Sequence, residues 1–381
     1  MRTVMVTKFV PLPANSGGKQ RSLALLTRLA RRGPTVLCAF DDGTADLRGL
    51  ANLGIEVRAV PWSPSPVRVA HGLARTRSAS AARFASAALA QEVRAAARMP
   101  VDLLQIEYAQ LAPYARGVAA RTRVLDLHNV ESAAVRSLAA IHSAPAGLFL
   151  SLEAAALRRI ERRALSDFDA VVTVSEEERE RLGTGPARLL VCPNGWDADA
   201  PLPFGDEPIA VFVALLGWGP NADAAVWLGQ EVWPAVRARL PAASLLLVGR
   251  DPTAKVRAVA GHGIAVSGSV PDVGPYLARA RVATAPLRAG GGSRLKILEA
   301  LAAGRPVVAT SVGAEGLLDL AGRGLVVADS AAAFADALVS LLDDRTLAER
   351  LGRRGHEAVR ETYSWDTTLR PLLELVDALE L

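Results

Sequence analysis

Short apolar runs alternate with longer amphipathic stretches along most of the chain. The first run is Thr3–Thr7, and a helical pattern follows from about Lys19 to Arg32. Short, continuously apolar runs are typical of strands buried on both faces, so the alternation predicts an α/β fold with parallel sheets covered by helices. Further strands are predicted at Thr35–Phe40, Ile55–Val60, Asp102–Ile106, Arg123–Leu127, Ala170–Val174, Leu189–Cys192, Ile209–Leu215, Ser244–Val248, Ile264–Val266, Val282–Ala285, Val307–Thr310 and Leu325–Val327.

The segment CPNGWDADAPLP, residues 192–203, interrupts this alternation. Its Pro, Gly, Asn and Asp residues are typical of a linker. A chain of 381 residues also exceeds the size at which one core usually keeps growing. We therefore predict two Rossmann-like domains, residues 1–195 and 196–364, followed by a terminal helix at 365–381.

Composition excludes several classes of protein. No apolar run is long enough to cross a membrane, and residues 1–8 enter a strand pattern without a signal-peptide layout, so we expect a cytoplasmic chain. Cys38 and Cys192 end apolar runs, which favours buried thiols over a disulfide or a nucleophile. No zinc-type spacing of Cys and His and no D-x-D pair occurs, so no metal and no cofactor are implied.

The net charge of +5 is unevenly distributed, because basic residues predominate in the first half and acidic ones slightly in the second. The Ala-rich segment Arg68–Arg98 contains six of the arginines and has a helical composition. It is interpreted as a solvated helix face, or as a peripheral contact with an anionic membrane or a lipid-linked acceptor. Nucleic acid is not expected as a partner, since aromatic residues are sparse among the arginines.

Residues 290–310, GGGSRLKILEALAAGRPVVAT, contain a helix start with an unusual charge. Acids are expected in a first helical turn, yet this one carries Arg294 and Lys296. Glycines that bare the backbone, free N–H groups and two cations all favour a phosphate there. Lys296 and Glu299 share one helix face, so a carboxylate for a hydroxyl pair lies beside the cation. The alternative is a glycine loop entering a buried helix with two solvated cations.

Together with GAEGL at residues 313–317, this segment resembles the donor-nucleotide site of retaining glycosyltransferases of family 4, which have the GT-B fold. Gly291 stands where most members have a glutamate, as in a subgroup with a G-G-G-x-R-L-K loop. The resemblance implies two domains that face each other across a cleft and a C-terminal helix that crosses back to the first. It also implies retention of anomeric configuration without a metal and, by family habit, a UDP-sugar donor. The implied donor contacts in this segment are Gly291, Gly292, Ser293, Arg294, Leu295, Lys296 and Glu299.

Two places in the first domain are predicted to contact substrate. His128 follows the strand Arg123–Leu127, so it projects from the carboxyl edge of the sheet. The resemblance implies that it binds the transferring sugar, and the alternative is a structural histidine. Gly17 and Gly18 follow the first strand, where they form either a phosphate or acceptor contact or a plain turn. His71, His142, His262 and His356 are interpreted as surface residues.

The second domain offers further donor contacts. ALLGWGPNADA, residues 214–224, resembles the loop that faces the donor diphosphate, although the usual basic pair is missing. Arg294 and Lys296 would then neutralise the diphosphate nearly alone, with Arg250 as a possible helper. SGSVPD, residues 267–272, resembles the segment whose backbone meets the nucleobase. The residues implied here are Gly217, Trp218, Asn221, Arg250 and Val270.

The sequence thus predicts a hexosyltransferase-type enzyme that moves a sugar from a nucleoside diphosphate to a hydroxyl acceptor. Because no carboxylate nucleophile stands near Gly291, we favour front-face attack in which the leaving phosphate takes the acceptor proton. The acceptor is a lipid-linked glycan, a polysaccharide precursor or a small natural product. Two alternatives stay open: an epimerase or pseudo-glycosyltransferase on the same fold, and a binding protein with a degenerate site.

Overall fold

The structure is a computed structural model that describes residues 1–63, 66–140, 143–289 and 294–379, without the side chains of Arg68, His71 and Arg75. The chain divides into two compact units. Of the described residues, the first comprises Met1–Pro193 and the C-terminal residues from Leu369, and the second comprises residues 194–289 and 294–368.

Within its described residues, the first unit contains a parallel sheet of seven strands in the order β3-β2-β1-β4-β5-β6-β7. Successive strands are added toward one edge of the sheet up to β3 and toward the other edge from β4 onward. Open α/β sheets bind ligands at the point between β1 and β4 where this order reverses. The strands are β1 Thr3–Phe9, β2 Thr35–Asp41, β3 Ile55–Pro61, β4 Leu103–Glu107, β5 Thr122–Asp126, β6 Ala170–Thr173 and β7 Arg188–Val191.

Helices connect these strands, as parallel pairing requires. They are α1 Gly17–Ala30, α2 Leu47–Asn52, α3 Pro66–Thr76, α4 Ala79–Arg83, α5 Ala87–Ala96, α6 Glu131–Ala140, α7 Ala146–Asp167 and α8 Glu176–Leu182, with a 3₁₀ helix at Ala109–Ala115. The core is apolar on both sheet faces and includes Val4, Leu104, Leu125 and Val171, each fully or almost fully buried.

The second unit carries six parallel strands in its described part, ordered β10-β9-β8-β11-β12-β13. The strands are β8 Ile209–Val213, β9 Ser244–Val248, β10 Ile264–Gly268, β11 Val282–Ala285, β12 Val307–Ala309 and β13 Leu325–Val327. The helices are α9 Gly219–Trp227, α10 Trp233–Arg239, α11 Ala254–Arg257, α12 Gly274–Arg279, α13 Leu295–Ala302, α14 Ala331–Asp343, α15 Arg345–Thr362 and α16 Trp365–Thr368, with a π-helical turn at Leu228–Val232 and a 3₁₀ helix at Leu318–Leu320. Trp227 and Phe334 pack edge to face in its core, with ring centroids 5.4 Å apart.

The predicted terminal helix is divided in the structure. α16 stays with the second unit, because the Trp365 N–H bonds to Asp197 and the Trp196 N–H bonds to the Tyr363 carbonyl. The last helix, α17 (Arg370–Asp377), groups with the first unit, where Arg32 pairs with Asp377 at 2.5 Å.

The segment Arg68–Arg98 is largely helical, as its composition indicates, but it does not form a single helix. The segment forms three helices, α3 to α5, because Ser78 and Ser86 each act as an N-cap and start a new helix. Ser78 and Ser80 also donate hydrogen bonds to the Glu153 carboxylate of α7. The arginines therefore do not line one continuous helix face.

Cys38 and Cys192 are free and buried, as predicted, and burial raises the pKa of both thiols to about 12. His356 was predicted at the surface, but it is buried and its Nδ1 lies 2.7 Å from the Ala302 carbonyl oxygen. Among the helices that the structure describes, none is both long and apolar enough to span a membrane.

Candidate functional site

The first unit brings a histidine and a glutamate together at the carboxyl edge of its sheet. His128 lies two residues after β5, and Glu107 is the last residue of β4. The His128 Nε2 is 2.6 Å from the Glu107 Oε2, and their side chains are 6% and 0% exposed. Adjacent parallel strands end at the same sheet edge, which explains why residues 21 positions apart meet here.

Glu107 is held by two further donors. Gln105 donates from Nε2 to Oε1 at 2.8 Å, and the Ser22 hydroxyl donates to Oε2 at 3.3 Å. Burial raises the pKa of Glu107 to about 7, against the opposing effects of Gln105 and Arg21. Burial, with help from Arg21 and Lys8, lowers the pKa of His128 to about 3, so the imidazole is neutral at pH 7.

A buried ion pair between Arg21 and Asp126 stabilises this arrangement. Arg21 of α1 contacts the Asp126 Oδ2 through Nη2 at 2.7 Å and Nε at 2.9 Å, and both side chains are essentially unexposed. The other carboxylate oxygen of Asp126 accepts the His128 backbone N–H at 3.1 Å. Asp126 therefore fixes the backbone of His128, which has φ 59° in the sparsely populated left-handed region.

Tyr108 covers one face of the imidazole. The two rings stack with centroids 3.9 Å apart and an interplanar angle of 27°, and Tyr108 also has a left-handed backbone, with φ 72°. Lys8 Nζ lies 4.0 Å above the Tyr108 ring and 3.6 Å from Glu131, and burial lowers the pKa of Lys8.

The two predicted glycines open α1 next to this stack. Ser16 caps the helix, and Gly17 and Gly18 form its first turn. A Cβ on Gly18 would lie 2.1 Å from the Tyr108 hydroxyl oxygen and 3.8 Å from the His128 Nδ1. Gly18 thus permits close approach of the ring, a packing role that the sequence did not reveal.

Glu107, Asp126 and His128 are also spaced as metal ligands, with one donor atom from each inside 4.8 Å. The residues do not fit a cation, because the Arg21 guanidinium already occupies Asp126 at 2.7 Å. The Glu107 carboxylate is likewise taken by Gln105, Ser22 and His128. We assign this cluster to hydrogen bonding.

The second unit presents the predicted cations at the start of α13. Arg294 immediately precedes the helix, Leu295 opens it as a buried residue, and the first turn has no acid. Arg294 is 4% exposed, donates to the Val312 carbonyl at 2.9 Å and lies 3.8 Å from the Glu315 carboxylate. Gly291, Gly292 and Ser293 lie outside the described residues.

Lys296 is half-buried, whereas Arg294 is buried. Its Nζ donates to the Asn221 Oδ1 at 2.9 Å and lies 5.0 Å from the centre of the Phe212 ring. Burial, followed by the repulsion from Arg294, lowers the pKa of Lys296 to about 7. The contact with Asn221 joins α13 to the segment at residues 214–224. Both segments were predicted to belong to one donor site.

Glu299 follows Lys296 on α13 and is half-buried. Burial and then the charge of Asp272 raise the pKa of Glu299 to about 7, and Lys296 opposes that rise. Asp272 belongs to the segment predicted to meet the nucleobase, in which Val270 is half-buried. The effect of the Asp272 charge on Glu299 means that residues 267–272 lie near α13.

The remaining predicted donor contacts lie in the loops after β8 and β9. Trp218 is 39% exposed and precedes α9, and Asn221 donates to the Leu215 carbonyl at 3.0 Å. Gly217 faces the backbone of Asp251, whose carbonyl oxygen would be 2.8 Å from an added Cβ. Arg250 lies two residues after β9 and is exposed.

The two parallel sheets, each of Rossmann type, match the pair of domains expected of a glycosyltransferase with the GT-B fold. Sequence families agree with this. Residues 16–195 match the family described as "Glycosyl transferase 4-like domain", and residues 207–344 match "Glycosyl transferases group 1". The chain thus consists largely of two domains that match glycosyltransferase families.

Two mycobacterial proteins are similar in sequence. The chain is 32% identical over 213 residues to a phosphatidyl-myo-inositol mannosyltransferase of Mycobacterium leprae, a match that covers 53% of this chain and 56% of that protein. It is 30% identical over 251 residues to a GDP-mannose-dependent alpha-(1-6)-phosphatidylinositol monomannoside mannosyltransferase of Mycobacterium tuberculosis, which covers 58% and 64%. The matches thus span less than two thirds of either relative.

Solved structures share the fold over nearly the whole chain. Sucrose-phosphate synthase from Thermosynechococcus elongatus superposes with a TM-score of 0.69 at 19% identity, over 100% of this chain and 99% of that one. HepE from Anabaena, solved with UDP and glucose, gives 0.68 at 16% identity, over 99% and 100%. WaaG, a glycosyltransferase involved in lipopolysaccharide biosynthesis, gives 0.70 at 14% identity, over 97% and 98%. The predicted GT-B type of fold is confirmed.

Proposed function

We propose that this protein transfers a sugar from a nucleoside diphosphate sugar to a hydroxyl acceptor, with retention of configuration and without a metal ion. The observation that carries the proposal is the start of α13. Lys296 is half-buried there, its Nζ donates to the neutral amide oxygen of Asn221, and the first turn of the helix carries no acid. A diphosphate would supply negative charge beside Lys296 and the helix start.

The roles that we propose follow from charge and hydrogen-bonding capacity. Lys296 and Arg294 bind the diphosphate, and Glu299 accepts hydrogen bonds from the ribose hydroxyls. The backbone around Gly217 and Val270 contacts the diphosphate and the nucleobase, with Trp218 and Arg250 at the rim. His128 contacts a hydroxyl of the transferred sugar.

The chemistry that we propose needs no protein nucleophile. As the anomeric bond lengthens, negative charge grows on the leaving phosphate, where fixed cations stabilise it. The acceptor hydroxyl attacks from the same face of the sugar, and its proton passes to the departing phosphate. The products are the glycoside and the nucleoside diphosphate.

The nucleotide is the least constrained part of the proposal. UDP was expected by family habit, whereas one of the relatives at 30% identity is named as GDP-mannose-dependent. We therefore place GDP-mannose first among the donors to test and UDP-glucose second. Both relatives are also named for phosphatidylinositol acceptors, which favours a lipid-linked acceptor at the inner membrane surface over a small natural product.

The test has a binding arm and a product arm. Thermal unfolding with GDP, UDP and ADP is expected to show stabilisation by one of them, since a ligand of the native state raises its stability by mass action. The matching sugar nucleotide, incubated with phosphatidylinositol vesicles and with EDTA, is expected to give an α-linked glycolipid. Conversion of the sugar nucleotide without acceptor would favour an epimerase, and no thermal shift with any nucleotide would favour a degenerate binding protein.

Nucleotide affinity is expected to be highest near neutral pH. Lys296, with its pKa lowered to about 7, loses its proton above that value, which costs up to about tenfold in affinity per pH unit. Glu299, with its pKa raised to about 7, is protonated below that value and accepts fewer hydrogen bonds. Calorimetric Kd values for the stabilising nucleotide between about pH 6 and about pH 9 measure both effects. Lys296→Met should flatten the alkaline side alone, and a pH-independent Kd for the unmodified protein would contradict the assignment.

A further inference from the structure

Glu107 has no role in the transfer chemistry derived above, yet it is the only side chain that bonds to the His128 ring in the described part of the chain. We propose that Glu107 is a positioning residue. It holds the imidazole in the tautomer with the proton on Nε2, so that Nδ1 is left as a hydrogen-bond acceptor for a sugar hydroxyl. This inference rests on the proposed function of His128.

Two side chains donate hydrogen bonds to the Glu107 carboxylate, and His128 is its third partner. Gln105 donates to one oxygen at 2.8 Å, and Ser22 donates to the other at 3.3 Å. The third partner is the His128 Nε2 at 2.6 Å. Above its pKa of about 7 Glu107 is ionised, and a carboxylate that accepts from all three groups requires the proton to sit on Nε2.

A flip of the His128 ring would exchange its two nitrogens and break the hydrogen bond to Glu107. Tyr108 stacks on one face of the ring with centroids 3.9 Å apart, and the His128 backbone N–H donates to Asp126 at 3.1 Å. Asp126 is itself paired with Arg21. These contacts, together with the hydrogen bond to Glu107, favour the observed orientation of the imidazole.

Nδ1 is the nitrogen that remains for a ligand. It makes no hydrogen bond with any residue that the structure describes, and it points toward the first turn of α1, 3.8 Å from where a Cβ of Gly18 would be. With the proton held on Nε2, Nδ1 carries a lone pair and recognises a hydroxyl donor. In the opposite tautomer it would present an N–H and require an acceptor.

Glu107→Gln tests this with nearly unchanged volume. Gln105 still donates at the position of Oε1, so the new amide oxygen should settle there and the new NH₂ should face His128. Nε2 must then accept, which moves the imidazole proton to Nδ1. The ¹⁵N shifts of the His128 ring report the tautomer directly, and kcat/KM reports transfer.

Above the Glu107 pKa of about 7, where the carboxylate is ionised, we expect Nε2–H in the unmodified protein and Nδ1–H in Glu107→Gln. The sugar hydroxyl must then accept from Nδ1–H instead of donating to a ring lone pair, so kcat/KM should fall about tenfold to a hundredfold, while the Kd for the free nucleotide stays unchanged. Glu153→Gln is the matched control. Glu153 is a buried carboxylate of the same unit that accepts from Ser78 and Ser80, and replacing it should leave the His128 tautomer as it was.

The outcomes separate the inference from the function on which it rests. Nδ1–H in the unmodified protein would overturn the inference without any variant being needed, and so would a tautomer change that leaves kcat/KM at its original value. Absence of transfer by the unmodified protein with every sugar nucleotide would overturn the proposed function. In that case the ¹⁵N shifts still decide whether Glu107 controls the tautomer of His128.

Discussion

Lys296→Met is expected to lower kcat/KM for sugar transfer by at least about a hundredfold, the usual effect of removing a group that stabilises developing charge. The cation lies in a poorly solvated position, 2.9 Å from the Asn221 amide oxygen. Electrostatic stabilisation is strong where water is excluded. Methionine keeps an unbranched side chain of similar length and removes the ammonium group with its hydrogen bond to Asn221, and Lys296→Ala should show the same loss with a further packing cost.

The same substitution should not destabilise the fold. Burial lowers the pKa of Lys296 from 10.5 to about 7, so the unfolded chain binds more protons between those pH values. The contribution of this residue to the free energy of unfolding therefore increases as pH rises through that range, and its charged form is unfavourable in the folded state. Removing the charge should leave the melting temperature at or above its original value.

Lys255→Met is the matched control for Lys296. Lys255 is an exposed cation on α11 of the same unit, and its removal should leave kcat/KM and nucleotide affinity as they were. Turnover by Lys296→Met within a few-fold of the unmodified enzyme would show that the basic start of α13 does not serve the transferred phosphate.

The strands could be predicted from the sequence because strands of a parallel sheet are buried on both faces and leave a local apolar signal. Thr35–Phe40 was predicted and Thr35–Asp41 is observed. The division of Arg68–Arg98 into three helices could not be predicted from composition alone. Two serines start new helices there, and a cap outweighs the helix propensity of the alanines around it.

The candidate site shows the same division between local and distant signals. His128, Lys296 and Glu299 stand out locally, as a polar residue after an apolar strand or as a charge on a helix start, and their roles stay predictions. Arg21 was missed because its partner Asp126 is 105 residues away. Glu107 could have been noticed, since it is an acid at the end of the apolar run Leu103–Glu107. Its meeting with His128 depends on strand order, which no local pattern encodes.

Asp126→Ala is expected to destabilise the first unit by about 3–5 kcal/mol, which is a large part of the stability of a typical domain. The reason is that Arg21, 0% exposed, would keep a buried charge without its carboxylate partner. Asp126→Asn should cost less, because the amide oxygen can still accept from the His128 backbone N–H or from Arg21. Guanidinium unfolding followed by circular dichroism measures the difference.

Asp167→Ala provides the comparison that assigns this cost to burial. Asp167 pairs with Arg163 at 3.0 Å on the surface of α7, with side chains 41% and 64% exposed, so its removal should cost less than about 1 kcal/mol. Equal losses for Asp126→Ala and Asp167→Ala would mean that the Arg21 pair does not hold the sheet edge together. A larger loss for Asp126→Ala, with Asp126→Asn in between, would show that the buried ion pair stabilises the part of the fold that positions His128. The Asp126 carboxylate does so because it both neutralises Arg21 and accepts the His128 backbone N–H.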